Sequence, residues 1–213
     1  MPPARSPYRP RKTPRQQRAW ETRGRILEAA ARVFARHGYA SGTTDRIAEE
    51  AGLSIGSLYQ YFPNKDAILV VLTRNHVAEM ARLVAEVLAE PRPLTAWLPE
   101  LTRALVRIHG ADPRLHQVMY EQAPRTPEVL AGFREAESEA VAAVERLLRA
   151  DPAVATGSAW QARFVVATIE SLVHRFTGDL PAMDPAELER EIVTIVTRYL
   201  CPGPDLEKRP SAW

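Results

Sequence analysis

Apolar residues return at intervals of three and four along most of this chain, which is the period of a helix that buries one face. Ile26, Leu27, Ala30, Val33 and Phe34 form the first such stripe. Thr13-Pro14-Arg15-Gln16 offers it a capping box with proline at the first helical position, and Gly38 offers a left-handed stop. Two short helices are predicted next, from Thr44 to Ala51 and from Ser54 to about Tyr61, with Gly52 between them and Pro63 after them. Asn64 should cap a long fourth helix whose Ile68, Val71, Leu72, Met80, Leu83, Val84, Val87 and Leu88 share a face until Pro91. Further helices are expected near Leu94 to His109, Asp112 to Gln122, Pro127 to Ala150, Gly157 to Thr177 and Pro185 to Leu200. No window alternates with a period of two, so the predicted fold class is all-α, with about nine helices.

The segment TTDRIAEEAGLSIGSLYQYF has a mechanical reason at each punctuating position. Ala48 is small where a second helix would cross it, Gly52 permits a left-handed turn, and Leu58 plugs the angle between the two helices. Ile47, Ala51, Leu53 and Phe62 would close the core. This is the layout of a helix-turn-helix, in which the last helix stands out from the body and enters the major groove. Its outward residues Ser54, Ile55, Gly56 and Ser57 are small or uncharged, as close approach to base edges requires. Tyr59 and Tyr61 follow Ile55 and Ser57 by one turn and are expected to reach phosphates. Thr44 and Lys65 stand at helix N-termini, where free N–H groups favour an anion.

Charge is distributed to match. Residues 1 to 65 hold 12 Lys and Arg against 5 Asp and Glu, a net +7, whereas residues 66 to 213 hold 16 against 21, a net −5. The basic part is an electrostatic footprint suited to a nucleic acid, and with the helix-turn-helix the expected partner is double-stranded DNA. Eight of its cations precede Ile26, so a solvated basic tail would give the same sum. Arg9, Arg11 and Lys12 could add minor-groove or phosphate contacts from an arm expected to be disordered.

The stretch GYASGTTDRIAEEAGLSIGSLYQYFPNKDAIL resembles the DNA-binding signature of the TetR family of bacterial regulators, over about Ile26 to Leu72. The resemblance implies an all-helical homodimer with a three-helix DNA-binding domain and a larger domain for ligand binding and dimerisation. Most members repress transcription and release DNA when a small molecule binds. By matching position, it implies DNA contacts at Thr44, Ser54, Ile55, Gly56, Ser57, Tyr59, Tyr61 and Lys65. Two departures bear on the operator: Ile55 stands where members often have Lys, and Asp45 where some carry a base-reading cation. The expected organisation is a basic arm over 1–12, a DNA-binding domain over 13–65, an effector-binding and dimerisation domain over 66–200, and a tail over 201–213.

In the second part, Trp97, Leu101, Met119, Tyr120, Phe133 and Phe164 supply bulky surface of the kind that lines a pocket between helices, although each taken singly reads more readily as core. An apolar or amphipathic effector is expected, with Arg103 or His109 as its polar handle. The family resemblance also implies a dimer interface on the last two helices, where Ile169, Leu172, Val173 and Val196 are the expected contacts. No histidines lie at the three- or four-residue spacing that converges on a metal from one helix face, and no nucleophile elbow or phosphate loop occurs. Neither metal, cofactor nor enzymatic activity is therefore expected. The single cysteine, Cys201, fits a reducing cytoplasm. The longest apolar run, about Ala67 to Leu72, is far short of the roughly 18 residues a membrane span needs, and the first residues lack the apolar run of a secretory signal.

The leading expectation is thus a homodimeric repressor released from an inverted-repeat operator by a small molecule. The alternative is a DNA-binding regulator with no such effector, controlled by a protein partner or by abundance. An apolar cavity favours the first and a filled core the second.

Overall fold

The computed structural model describes residues 17–154, 157–178 and 183–202; the basic arm, the capping box at residues 13–16 and the tail beyond residue 202 lie outside the described residues. Among the described residues there are nine helices and no strand: α1 (Gln17–Ser41), α2 (Thr44–Glu50), α3 (Ile55–Tyr61), α4 (Lys65–Val87), α5 (Leu94–Gly110), α6 (Pro113–Gln122), α7 (Pro127–Ala150), α8 (Ala159–Gly178) and α9 (Pro185–Leu200).

The predicted punctuation is visible as geometry. Gly38 takes φ 70° and breaks the regular course of α1 one turn before its end. Gly52 takes φ 63° and makes the turn between α2 and α3, a conformation a side chain would strain. Thr44 is the first residue of α2, and Thr43 caps the helix by accepting from the N–H of Arg46 at 3.4 Å. Ser54 caps α3 by accepting from the N–H of Ser57 at 3.1 Å, and Asn64 accepts from the N–H of Ala67 at 2.8 Å in the first turn of α4.

The chain forms two compact units. The first comprises the described residues to Ala78 together with Asp112–Phe133, and the second comprises Glu79–Ala111 and the described residues from Arg134 onward. This division falls within α4, and α6 joins the first unit. The first core is built on Ile26, Phe34, Ile47, Leu58, Phe62 and Ile68, all fully buried, with Val118 and Met119 contributed by α6. Burying each such side chain stabilises the fold by about 1.5–3 kcal/mol.

The second core gathers Leu88, Trp97, Leu98, Leu147, Leu148, Val165 and Ile192 from α5, α7, α8, α9 and the end of α4. Two long-range caps hold its helix ends. Pro93 precedes α5 and offers no side-chain cap, so the buried Asp151 carboxylate accepts from the N–H of Leu94 at 2.6 Å. Arg146 donates to the carbonyl of Leu88 at 2.9 Å, just past the end of α4. No helix among the described residues is long and apolar enough to cross a membrane.

Candidate nucleic-acid interface and interior cavity

Helix α3 has seven residues, and its inner stripe decides which of its side chains remain available. Leu58 and Tyr61 are buried, and Phe62 closes the core one residue beyond. The side chain of Tyr61, expected to face phosphates, is only 8% exposed because it follows Leu58 by three residues and shares its inward face. Ser54, Gly56 and Tyr59 are exposed, while Ile55 and Ser57 are half-buried. The Tyr59 hydroxyl lies 3.1 Å from Oγ1 of the half-buried Thr44, so α2 and α3 present these two groups together. Ser54 and Ser57 share a hydrogen bond between their hydroxyls at 2.8 Å in addition to the cap.

Lys65 is placed differently from the expectation. Its ammonium donates to the carbonyls of Tyr39 at 2.7 Å and Ala40 at 3.3 Å, and sits 4.1 Å from the centroid of the Tyr39 ring. Two of its three N–H donors are spent on the end of α1, and the ring faces the same charge. The Tyr39 hydroxyl in turn donates to Asp66. Lys65 therefore ties α1 to the start of α4.

A residue that the sequence reading passed over fixes the turn itself. Arg25, on α1, donates to the carbonyl of Ala51 at 2.5 Å and approaches that of Gly52 at 3.5 Å. These are carbonyls at the end of α2, which a cation satisfies well. Its distance of more than twenty residues from the turn hid it from local pattern reading. Arg32 and Arg36 both hold Glu50, at 2.7 and 3.0 Å, and these two guanidiniums hold its carboxyl below the usual carboxylate range.

The expected pocket residues do not converge. Met119 is buried in the first unit's core, Tyr120 is exposed beneath the Arg125 guanidinium, and Phe133 also lies near Arg125 in that unit. In the second unit, Trp97 is fully buried, Phe164 is 56% exposed, and Arg103 forms a two-pronged ion pair with Glu189 on the surface. Neighbouring Glu189 raises the pKa of Arg103 further. His109 is buried and its Nδ1 lies 2.7 Å from the Leu105 carbonyl. Leu101 alone among the expected residues lines the interior cavity of the second unit.

That cavity, of about 40 Å³, opens among α4, α5, α7 and α8, with Met80, Val84, Leu105, Val144, Ile169 and Glu170 among its other lining residues. Glu170 is its one ionisable lining group. Glu170 is solvent-accessible at the rim, yet its packed surroundings thin the water around the carboxyl; this burial, and then the Glu137 carboxylate, raise its pKa.

Helices α8 and α9 carry apolar stripes on two sides, as the sequence suggested, but the sides divide differently. Ile169, Val173 and Val196 are buried in the protomer core and Leu172 is half-buried against it. Trp160, Phe164, Ile195 and Tyr199 face outward, the first 77% exposed, with the Phe164 and Tyr199 rings 4.9 Å apart. Two imidazole contacts also escaped the sequence, because each joins different helices: His76 with His116 in the first unit at 5.2 Å, and His109 with His174 in the second at 4.8 Å.

Known proteins share both halves of this arrangement. Residues 26–72 match the domain described as bacterial regulatory proteins, tetR family, and residues 93–200 match the tetracyclin repressor-like C-terminal domain. The chain is 42% identical over 64 residues to the HTH-type transcriptional repressor AcnR of Corynebacterium diphtheriae, a match that covers 30% of this chain and only 34% of that protein. It is 26% identical over 164 residues to the HTH-type transcriptional regulator TcmR of Streptomyces glaucescens, covering 74% of this chain and 72% of the relative. Among solved structures, a TetR-like transcriptional regulator from Rhodococcus sp. RHA1 aligns with a TM-score of 0.66 at 18% identity, over 90% of this chain and 100% of that one. The regulator FadR from Bacillus subtilis, solved in complex with stearoyl-CoA, aligns with a TM-score of 0.62 at 20% identity, over 81% and 96% respectively. Both structures share the fold. With its helix-turn-helix and its C-terminal helices each matched to a domain of one family, this chain belongs to the TetR family of bacterial regulatory proteins.

Proposed function

We propose that this protein is a cytoplasmic, homodimeric transcriptional regulator that binds an inverted-repeat operator through α3 and leaves it when a small molecule occupies the second unit. The observation that carries the reading is the exposed set on α3. Ser54 and Gly56 leave the first turn open for base edges, and Tyr59, hydrogen-bonded to Thr44, offers hydroxyls toward the backbone. Ile55 and Ser57 complete the reading surface. Lys65 and Tyr61, engaged elsewhere, act by holding the helix in place.

Dimerisation supplies the second reading head. The outward aromatic and aliphatic side chains of α8 and α9, led by Trp160 and Phe164, form a patch of the type that a second copy covers. Helix α4 carries residues of the first unit's core, such as Ile68, and residues lining the second unit's cavity, Met80 and Val84. A ligand in the cavity thus touches the second half of a helix whose first half belongs to the DNA-binding unit, and it acts as far as its affinity differs between DNA-competent and incompetent forms. The cavity has room for only a few water molecules as it stands. Occupation requires its walls to part, for which the flexible Met80 is suited.

Binding of the full-length protein to DNA from either side of its own coding sequence, followed by fluorescence anisotropy, tests the reading. Saturable binding that survives excess unrelated DNA is expected, and Tyr59→Phe should weaken it about three- to tenfold through loss of one hydroxyl contact. Equal competition by unrelated DNA would sink it.

A further inference from the structure

The cavity of the second unit has a composition that selects among ligands. Apart from Glu170, the side chains that line it are apolar: Met80 and Val84 from α4, Leu105 from α5, Val144 from α7 and Ile169 from α8 are representative. Such a wall contributes no hydrogen bonds, so a ligand's inner portion must be hydrocarbon. The single polar group stands at the rim. Glu170 is solvent-accessible there, and no described cation pairs with it or with Glu137.

Two carboxylates placed together without a counter-ion repel each other, and the repulsion is relieved when a positive charge arrives between them. Glu137 stands three residues before Ala140 and seven before Val144, on the face of α7 that lines the cavity, and its carboxylate raises the pKa of Glu170. The same pair disfavours an anionic head at the rim, because like charges brought together cost free energy. Hydrocarbon inside and negative charge at the mouth therefore describe a slender amphiphile with a positive end.

Resting on the ligand-responsive reading above, we infer that the second unit recognises an organic cation, an alkylammonium or aryl-alkylammonium compound whose apolar tail enters the cavity and whose charged head lies against Glu170 and Glu137. Met80 moves to admit the tail. Glu170 sets the sign of the charge that is accepted, and Glu137 reinforces it.

Calorimetric titration of the full-length protein with n-octyltrimethylammonium, 1-octanol and octanoate tests this, since the three share a tail and differ in head charge. The cation is expected to bind about tenfold more tightly than the alcohol, and octanoate more weakly than either. Glu170→Gln should remove about that tenfold advantage of the cation over the alcohol, and Glu137→Gln should remove a smaller part. Octanol or octanoate binding as well as the cation, or a cation preference that survives Glu170→Gln, overturns the inference and leaves the ligand cavity standing. Binding by none of the three at millimolar concentration overturns the inference and the ligand-cavity reading together.

Discussion

Lys65 separates two accounts of the DNA-binding unit, because one of them spends its charge on phosphate and the other on the protein. In the structure its ammonium satisfies the carbonyls of Tyr39 and Ala40, at 2.7 and 3.3 Å, and lies 4.1 Å from the Tyr39 ring centroid. Hydrogen bonds from a charged donor contribute about 1.5–3 kcal/mol in all, and the cation–ring contact about 0.5 kcal/mol at a half-exposed site. Solvent access to the side chain argues for the lower half of that range, so Lys65→Met should cost about 1.5–2 kcal/mol. Methionine keeps much of the aliphatic stem, which confines the loss to the charge and its hydrogen bonds. Urea unfolding followed by circular dichroism should show a lower midpoint with an unchanged slope. Operator affinity measured over a series of salt concentrations should then keep its salt dependence. A phosphate contact would instead lower that slope by about 0.9 per charge and leave stability nearly unaltered. A reduced salt slope with an unchanged urea midpoint would refute the internal assignment.

Other consequences follow from the same structure. Leu58→Ala, which empties the fully buried centre of the helix-turn-helix, should cost about 2–5 kcal/mol in urea unfolding; a cost below 1 kcal/mol would show that the angle between α2 and α3 does not depend on it. Arg25→Met should cost about 1–2 kcal/mol and weaken operator binding, since the carbonyls of the Ala51–Gly52 turn lose their donor; unaltered stability and affinity would remove Arg25 from the frame. Phe164→Glu should raise the dimer dissociation constant by about a hundredfold or more, so that sedimentation at micromolar concentration finds monomers; an intact dimer would place the interface elsewhere. Glu170→Gln has a pH signature. The folded-state pKa of Glu170 is raised by burial and by Glu137, so its contribution to stability is fully present below its unfolded pKa and is lost as pH rises through the folded one. The variant should accordingly be more thermostable than the parent at neutral pH and match it in acid, and a difference that grows in acid would contradict the assigned cause.

What the sequence disclosed follows how local each feature is. The helix-turn-helix was legible because its constraints lie within a few residues: Gly52 must turn left-handed, Ser54 must cap, and Leu58 must fill the angle. Tyr61 was misplaced although the information was present, since its relation to Leu58 at three residues is as close as its relation to Ser57 at four. In a helix of only seven residues both neighbours compete, and Tyr61 is buried in the core that also holds Ile47, Leu58 and Phe62. Lys65 and Arg25 each act on backbone carbonyls about 26 residues away in sequence, which no periodicity records. The breadth of the apolar stripes on α8 and α9 correctly signalled two faces, yet the aliphatic residues chosen for the outside belong to the core, while the aromatics face outward. The cavity required four helices to converge, so of the single bulky residues only Leu101 pointed to it.

The central claim is that α3 reads a specific DNA sequence as one half of a symmetric pair. Footprinting of the full-length protein on the DNA flanking its own coding sequence tests this most directly. The account predicts one protected inverted repeat with half-sites about 34–36 Å apart, and a much weaker footprint with Tyr59→Phe combined with Thr44→Ala. Protection no stronger than on unrelated DNA at physiological salt, or protection that the double variant leaves intact, would contradict it.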